Sequence, residues 1–484
     1  MKEESDMSKI YTGLSNTRKV LFHTDRNIFL TGPAGTGKTT LIKEFLETFP
    51  NTIACASTGI AAVAVGGETA HRVFHIPVPA YGQTLSTAKI SASDLKPLIA
   101  CDGIIIEEIS ILRADAFTFL IKVLKKAEQL KGSKIRLIVI GDFSQLPPVV
   151  TKQEEKMLSK FGFHVSGFPF TTPEWASCKF EICILDKIMR QSDEIFMAHL
   201  QEARISDPAC LDYFNNFSFY EESDLPEEAV QICGTNAEAE AINASYIDSL
   251  DGILVAYMAK KTGRPGSLPV EDVVLLKEGA RVMFTANDPK RRWTNGTLGT
   301  VEKVEKERVL VGKEDGKHVW VDPVEFTSHS YSVKNGKLIK TDVGKIAQIP
   351  LKVAKAMTIH KSQGKTFDTE VLTPSIFAPG QLYVALSRVR GPEGLYINGE
   401  ITEDSLKQNP VVAEFITAKY TWDLSKNPKK ITPRKKKTTP VNTTKSKSKA
   451  NPSKKKKSPS VKPTVIKSPK KSVSKTKLKN TKKK

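Results

Sequence analysis

The sequence has no long apolar run. Its longest is seven residues, Ile253 to Ala259, against the roughly 20 that a membrane-spanning helix requires, so no membrane partner is expected. Met1 to Asp6 is acidic and no apolar segment follows it, so no secretory signal is read there. Cysteine is scarce, with six in 484 residues at positions 55, 101, 178, 183, 210 and 233, and no CxxC pair occurs. Such scatter argues against a disulfide framework or a zinc site and fits free thiols in a reducing compartment. Cys178 and Cys183 come closest to a metal pair and read as core thiols. What is present is enough apolar residue, 39% of the chain, to build buried cores. At roughly 100–200 residues per domain, two to four domains are expected.

Acidic residues are missing altogether from 425–484, where 24 Lys or Arg stand with no Asp or Glu. Of the 73 basic and 53 acidic residues in the chain, 49 basic (73 − 24) and all 53 acidic ones therefore lie in 1–424. The net +20 thus divides into −4 for the body and +24 for the tail. The tail consists largely of Lys, Ser, Thr and Pro. It carries too little apolar surface to offset the entropy of ordering and is expected to be disordered. Basic runs such as Arg434–Lys437 and Lys454–Lys457 suit nuclear import in a eukaryotic or viral protein, or nucleoid binding in the cytoplasm of a bacterium.

The body alternates short β-rich runs with helical stretches, the pattern of an α/β protein. Asn27–Thr31, Ile53–Ala56, Gly103–Ile106 and Leu137–Ile140 read as buried strands. Asp115–Leu130 carries Phe117, Leu120, Ile121 and Leu124 at helical spacing. A first α/β domain is expected over 1–185, with a small insert near 67–98, and a second over 186–424. From Asn295 to about Gly344, Val301, Val304, Val309, Val311, Val319 and Val321 alternate with charges and glycines, which predicts a small all-β insert.

Gly32, Pro33, Ala34, Gly35, Thr36, Gly37, Lys38 and Thr39 match the P-loop pattern between a predicted strand and a helix that begins with Thr40. Glycines let backbone N–H groups turn toward phosphates, and the helix N-terminus adds partial positive charge. Lys38 suits the outer phosphates of ATP, and the Thr39 hydroxyl suits Mg²⁺. Ile104-Ile105-Ile106-Glu107-Glu108 supplies the acidic strand end that such a site requires. Glu107 would hold the metal or its waters, and Glu108 would polarise the attacking water.

These residues, with several further motifs, resemble the petite-integration-frequency type of superfamily-one DNA helicases, and more distantly RecD, over roughly 10–400. The motifs are Ala56-Ser57-Thr58-Gly59-Ile60-Ala61-Ala62, Gly67-Glu68-Thr69-Ala70-His71, Glu107-Glu108-Ile109-Ser110 and Gly141-Asp142-Phe143-Ser144-Gln145-Leu146-Pro147-Pro148-Val149. They continue in Arg190-Gln191, Asn295-Gly296-Thr297-Leu298-Gly299, Thr358-Ile359-His360-Lys361-Ser362-Gln363-Gly364 and Tyr383-Val384-Ala385-Leu386-Ser387-Arg388-Val389. The resemblance implies two RecA-like domains with ATP between them, an SH3-like β-barrel at about 295–344, and single-stranded DNA across the domain tops. It implies a monomeric ATP-dependent helicase moving 5′-to-3′, acting on single strands and forked duplexes in replication, repair, recombination or telomere maintenance. A single-strand-binding protein is an expected partner, and the tail is expected on DNA phosphates. An ATPase that remodels protein–DNA complexes without processive unwinding is the alternative, as is a chromatin-like binding protein whose tail is the active part.

The same resemblance assigns roles residue by residue. Gln145 would sense the γ-phosphate through its amide. Arg190 and Arg388 would act as arginine fingers, donating paired hydrogen bonds to transition-state phosphate oxygens. Thr58, Thr69, His71, Thr358, His360 and Ser362 would contact the DNA backbone, although a capping or turn role fits each of them as well. Glu107 stands where the family usually carries Asp. Arg18, in Leu14-Ser15-Asn16-Thr17-Arg18, stands where the family carries an adenine-reading Gln. Because Arg has no acceptor, it cannot read adenine as an amide does.

Overall fold

The computed structural model describes residues 9–77, 90–219, 225–226, 229–266 and 268–419. The tail at 425–484, expected to be disordered, and the 78–89 part of the insert expected near 67–98 lie outside them.

The strands are, in chain order, β1 (Ile10–Thr12), β2 (Ile28–Thr31), β3 (Thr52–Ala56), β4 (Glu68–Thr69), β5 (Gly103–Glu107), β6 (Arg136–Ile140) and β7 (Glu181–Ile184). They form one seven-stranded sheet in the order β1-β7-β2-β6-β5-β3-β4, parallel throughout. Both faces of this sheet are covered, which is why its strands read as continuous apolar runs. Alternate residues go to opposite cores. Phe29, Ile53, Ile104, Ile106 and Val139 pack with the helix Ala114–Lys131. Ile28, Leu30, Ala54, Ile105, Ile138 and Ile140 pack with Leu41, Ile42 and Phe45 of the helix Lys38–Thr48. Because the strands are parallel, the turns after β2, β3, β5 and β6 all emerge at one edge, where open α/β sheets bind ligands. The P-loop, the Ser57–Ala62 segment, Glu108–Ser110 and Gly141–Val149 follow those strands at that edge.

Next come β8 (Ser218–Phe219) and β9 (Val230–Cys233), then the antiparallel strands β10 (Val255–Met258), β11 (Lys260–Gly263), β12 (Val273–Leu276) and β13 (Arg281–Phe284). These continue as β14 (Leu298–Val304), β15 (Val309–Lys313), β16 (His318–Val321), β17 (Val324–Lys334), β18 (Lys337–Gln348) and β19 (Leu351–Val353). The chain then resumes with β20 (Ala356–Thr358), β21 (Glu370–Leu372) and β22 (Leu395–Asn398). A second parallel sheet runs β20-β9-β21-β22-β8. The antiparallel region between β9 and β20 includes a five-stranded sheet, β16-β15-β14-β13-β19, around Phe284, Val301, Val311 and Val321.

Antiparallel pairing spans 255–353, wider than the 295–344 read from alternation. The earlier strands are short, and β11 and β12 stand apart across 264–272, which is rich in Gly and Pro at its start, so no period-2 run is long enough to register. The long β17–β18 hairpin also reaches the first sheet. Tyr331 accepts a hydrogen bond from the Ala54 N–H (3.1 Å) and donates to its carbonyl (3.3 Å). Arg72 donates to Ser328 Oγ (2.7 Å). The helix Pro410–Lys419 likewise returns to the first half, with Phe415 stacked on Phe170 at 4.2 Å.

Candidate functional site

The P-loop leaves β2 with Gly32, Gly35 and Gly37 at positive φ (142°, 77° and 84°), which only glycine adopts without strain. Space is equally restrictive. A Cβ on Gly35 would lie 2.6 Å from Arg190 Cβ, and one on Gly32 would lie 2.1 Å from the Leu185 carbonyl oxygen. The segment after β7 therefore lies directly against the loop. Pro33, Ala34 and Thr36 are buried within it, and Thr36 Oγ1 donates to the Pro33 carbonyl. Lys38 opens the following helix, with Thr39 and Thr40 exposed beside it. Its ammonium donates to the Gly32 and Pro33 carbonyls, 2.8 Å each. Burial lowers the pKa of Lys38, while Asp142, Glu108 and Glu107 act in the opposite direction.

Glu107 ends β5 in a buried position, and its Oε1 has no hydrogen-bond partner. Burial and the neighbouring Glu108 raise its pKa to about 7, and a hydrogen bond from Thr39 counters them. An orphaned carboxylate oxygen beside a threonine hydroxyl is the donor set a hard divalent cation takes. Glu108 follows at φ 56°, a left-handed conformation that costs a non-glycine residue about 1–3 kcal/mol. Its carboxylate oxygen Oε2 accepts from Gln363 Nε2 at 2.9 Å. The same nitrogen donates to Gln145 Oε1 at 3.2 Å, so Gln145, buried after β6, and Glu108 share one amide.

Arg190, at the start of the second half, and Arg388, near its end, lie close to each other. Arg190 Nη1 donates to the Ser387 carbonyl (2.9 Å), and Gln191 bonds the carbonyls of Ser387 and Val389. Arg388 is 1% exposed and turned inward, which differs from the expected cleft-facing finger. It donates to the Val384 carbonyl and to Ser387 Oγ, 2.6 Å each. Burial and the neighbouring Arg190 bring its pKa down to about 9.

The candidate strand-contact residues divide. Thr58 is half-buried and caps the helix Gly59–Val65 by accepting from the Ala61 N–H. Thr69, His71 and His360 are also half-buried, and burial lowers both histidine pKa values. Thr358 and Ser362 are sealed instead. Thr358 caps the turn Ile359–Ser362 through the Lys361 N–H, and Ser362 Oγ donates to the Ile359 carbonyl. In this arrangement these two close the turn and present no hydroxyl to a strand. A cleft of about 1110 Å³ joins the two halves and is lined by Thr39, Thr58, Glu107, Glu108, His360 and Gln363 among others. Arg18 is paired with Glu44 on the helix Lys38–Thr48.

Four site residues lay unassigned inside or beside quoted motifs. Tyr383 accepts from the P-loop Ala34 N–H at 2.8 Å. Asp142 pairs with Arg204 through two bonds of 3.0 and 2.9 Å. Gln363 bridges Glu108 and Gln145. Glu370 is wholly buried with both oxygens unbonded, its pKa raised to about 8 by burial against the opposing pull of Arg388 and Arg190. A lone glutamate beginning the apolar Glu370-Val371-Leu372 run was the available signal for the last.

A P-loop with two carboxylates at the end of another parallel strand of the same sheet defines an α/β nucleotide-hydrolysing enzyme. The family model described as PIF1-like helicase matches residues 5–207. The ATP-dependent DNA helicase Pif1 of Bdellovibrio bacteriovorus is 31% identical over 396 residues, covering 78% of this chain and 85% of its own. Bacteroides sp Pif1 in complex with ADP-AlF4 matches with a TM-score of 0.75 at 33% identity, covering 83% of this chain and 96% of that one. Bacteroides Pif1 bound to ssDNA matches with a TM-score of 0.60 at 31% identity, covering 86% and 97%. The chain belongs to the PIF1-like helicase family, a class of ATP-dependent DNA helicases.

Proposed function

We propose that this enzyme hydrolyses ATP at the P-loop to move 5′-to-3′ along single-stranded DNA and open forked duplexes. The observation that carries the reading is the pair Glu107–Glu108 at the end of β5, beside the P-loop and across one cleft from the 358–364 turn. The water oxygen attacks the γ-phosphorus, Glu108 takes the water proton, and the β–γ bridging oxygen departs with ADP. Lys38, Arg190 and Arg388 offset the charge on the transferring group, and Gln145 reports its presence through its amide. Thr39 and Glu107 would hold Mg²⁺, which when bound draws charge from the phosphate oxygens. Residues 1–185 and 186–424 act as two RecA-like domains, with the antiparallel region around 295–344 as an SH3-like insert. Thr58, Thr69, His71 and His360 are the strand contacts best supported by exposure; Thr358 and Ser362 act through the shape of their turn. The enzyme works as a monomer in replication, repair, recombination or telomere maintenance, with a single-strand-binding protein as a partner, in a nucleoid or a nucleus. ATPase with and without single-stranded DNA, beside unwinding of 5′- and 3′-tailed duplexes, tests the reading as a whole.

The metal assignment makes its own prediction. Glu107→Asp is expected to stay active, because it restores the carboxylate the family usually carries. Glu107→Ala is expected to lose most activity and to need more Mg²⁺. An unchanged Mg²⁺ titration in the alanine variant would remove Glu107 from the metal site.

The tail makes another. The body carries −4 and residues 425–484 carry +24, so long-range attraction to DNA comes from the tail. Each neutralised phosphate on a single strand steepens log K against log salt by about 0.7. Residues 1–424 alone should bind DNA more weakly at low salt and with a flatter slope, while the saturated DNA-stimulated ATPase rate holds. Equal slopes for the two chains would place the tail on another partner.

A further inference from the structure

Gln363 joins groups that are far apart in the chain. Its amide nitrogen reaches Glu108 Oε2 at 2.9 Å and Gln145 Oε1 at 3.2 Å, spanning 255 and 218 residues. Glu108 and Gln145 belong to turns of the first sheet. Gln363 ends the turn Ile359–Ser362 that continues from β20 of the second. No other side-chain hydrogen bond among the described residues ties Glu108 to the second sheet.

In the arrangement in which this bond forms, the amide N–H takes one lone pair of Glu108 Oε2 and holds the carboxylate toward the second sheet. The Lys38 ammonium is turned back onto the Gly32 and Pro33 carbonyls. The turn bearing Gln363 also faces the cleft of about 1110 Å³, where Lys43, Arg291, Lys361 and Lys365 stand on walls that also carry Glu107, Glu108, Glu314, Asp315 and the Asp368–Arg390 pair. The lysines on and beside the turn offer contacts to a phosphate backbone. A nucleic-acid backbone seated there would press on residues 359–364, and Gln363 cannot shift with that turn and keep a 2.9 Å bond to Glu108 on the other sheet.

We propose that Gln363 is the positioning residue through which strand occupancy sets the hydrolysis rate: it ties Glu108 and Gln145 to the 359–364 turn in an idle arrangement and releases Glu108 when single-stranded DNA takes that turn. This rests on the reading of Glu108 as the water-activating carboxylate. Breaking the tie then favours the competent arrangement without DNA. By reciprocity, whatever favours that arrangement also tightens strand binding by the same factor.

The test uses the full chain with Gln363→Leu, which keeps the volume and removes the donor, and Gln363→Asn, which keeps the amide and falls short of Glu108. ATPase kcat and KM are measured with and without oligo-dT, and oligo-dT affinity is measured separately by fluorescence anisotropy without nucleotide. Both variants should raise the DNA-independent kcat by about 3–10-fold, the range that one hydrogen bond of ordinary net strength covers. The DNA-stimulation ratio should shrink and oligo-dT binding should tighten by a similar factor. A residue that merely supports the fold would not tighten strand binding. Rates that fall by one common factor with and without DNA, or rates and affinity that do not change, would overturn the proposal. A wild-type enzyme that oligo-dT does not stimulate would remove the underlying reading and this inference with it. A stimulated wild type beside unresponsive variants would remove Gln363 alone.

Discussion

Arg190→Ala is expected to hydrolyse ATP about 10³–10⁵ times more slowly than the wild type, while binding a non-hydrolysable ATP analogue almost as well. Arg190 Cβ sits against Gly35 of the P-loop, and its guanidinium is held by the Ser387 carbonyl. A small closure of the cleft brings such a group onto the transferring phosphate, and its interaction grows only as charge develops there. Arg190→Lys should recover little, since an ammonium lacks the bidentate fork. The same loss is expected at Arg388, but there alanine would confound the result. Arg388 is 1% exposed, and removing it leaves Glu370 buried with less compensating charge, a change that destabilises the fold. Arg388→Lys keeps a cation near Glu370 and is the cleaner variant. Thermal unfolding measured beside the ATPase separates the two effects. Near-normal turnover in either variant would return that arginine to a structural role.

Lys38 and Glu108 should fail in different ways. Lys38→Ala removes the cation proposed to meet the outer phosphates, so nucleotide affinity and turnover should fall together. Glu108→Gln keeps the shape and the Gln363 contact but removes the basic oxygen. Loss of a general base is worth about 10²–10⁴-fold, so turnover should fall by that factor with ATP binding retained. The positive φ of Glu108 aims its carboxylate, and glutamine preserves that backbone. Equal loss of ATP affinity in both variants would contradict the division of labour.

What could be read from the sequence was whatever is local in the chain. The P-loop is eight consecutive residues, and Ile104–Glu108 with its two carboxylates is five more. Four strands of the first sheet, β2, β3, β5 and β6, were visible because burial on both faces makes them continuous apolar runs. The contacts that join the halves were not visible. Tyr383 to Ala34, Gln363 to Glu108 and Arg204 to Asp142 depend on how two sheets meet, and neither an amide nor a phenol leaves a periodic signal. The inward turn of Arg388 follows from its place after the buried helix Gln381–Leu386, where it hydrogen-bonds backbone carbonyls and Ser387. For Thr358 and Ser362 the sequence left two roles open, a strand contact and a cap or turn. Short polar side chains bond their own backbone as readily as a ligand, and only coordinates separate the two outcomes. The Arg18 substitution was legible as a loss of base reading, and its pairing with Glu44 agrees with a side chain committed elsewhere.

The most direct test of the central claim is strand displacement by the full chain, with ATP and Mg²⁺, on a duplex bearing a 5′ single-stranded tail and on the same duplex bearing a 3′ tail. The account predicts ATP-dependent unwinding of the 5′-tailed substrate, little on the 3′-tailed one, and none by Lys38→Ala. Failure to unwind either substrate, alongside a normal DNA-stimulated ATPase, would contradict it and leave a motor that remodels protein–DNA complexes.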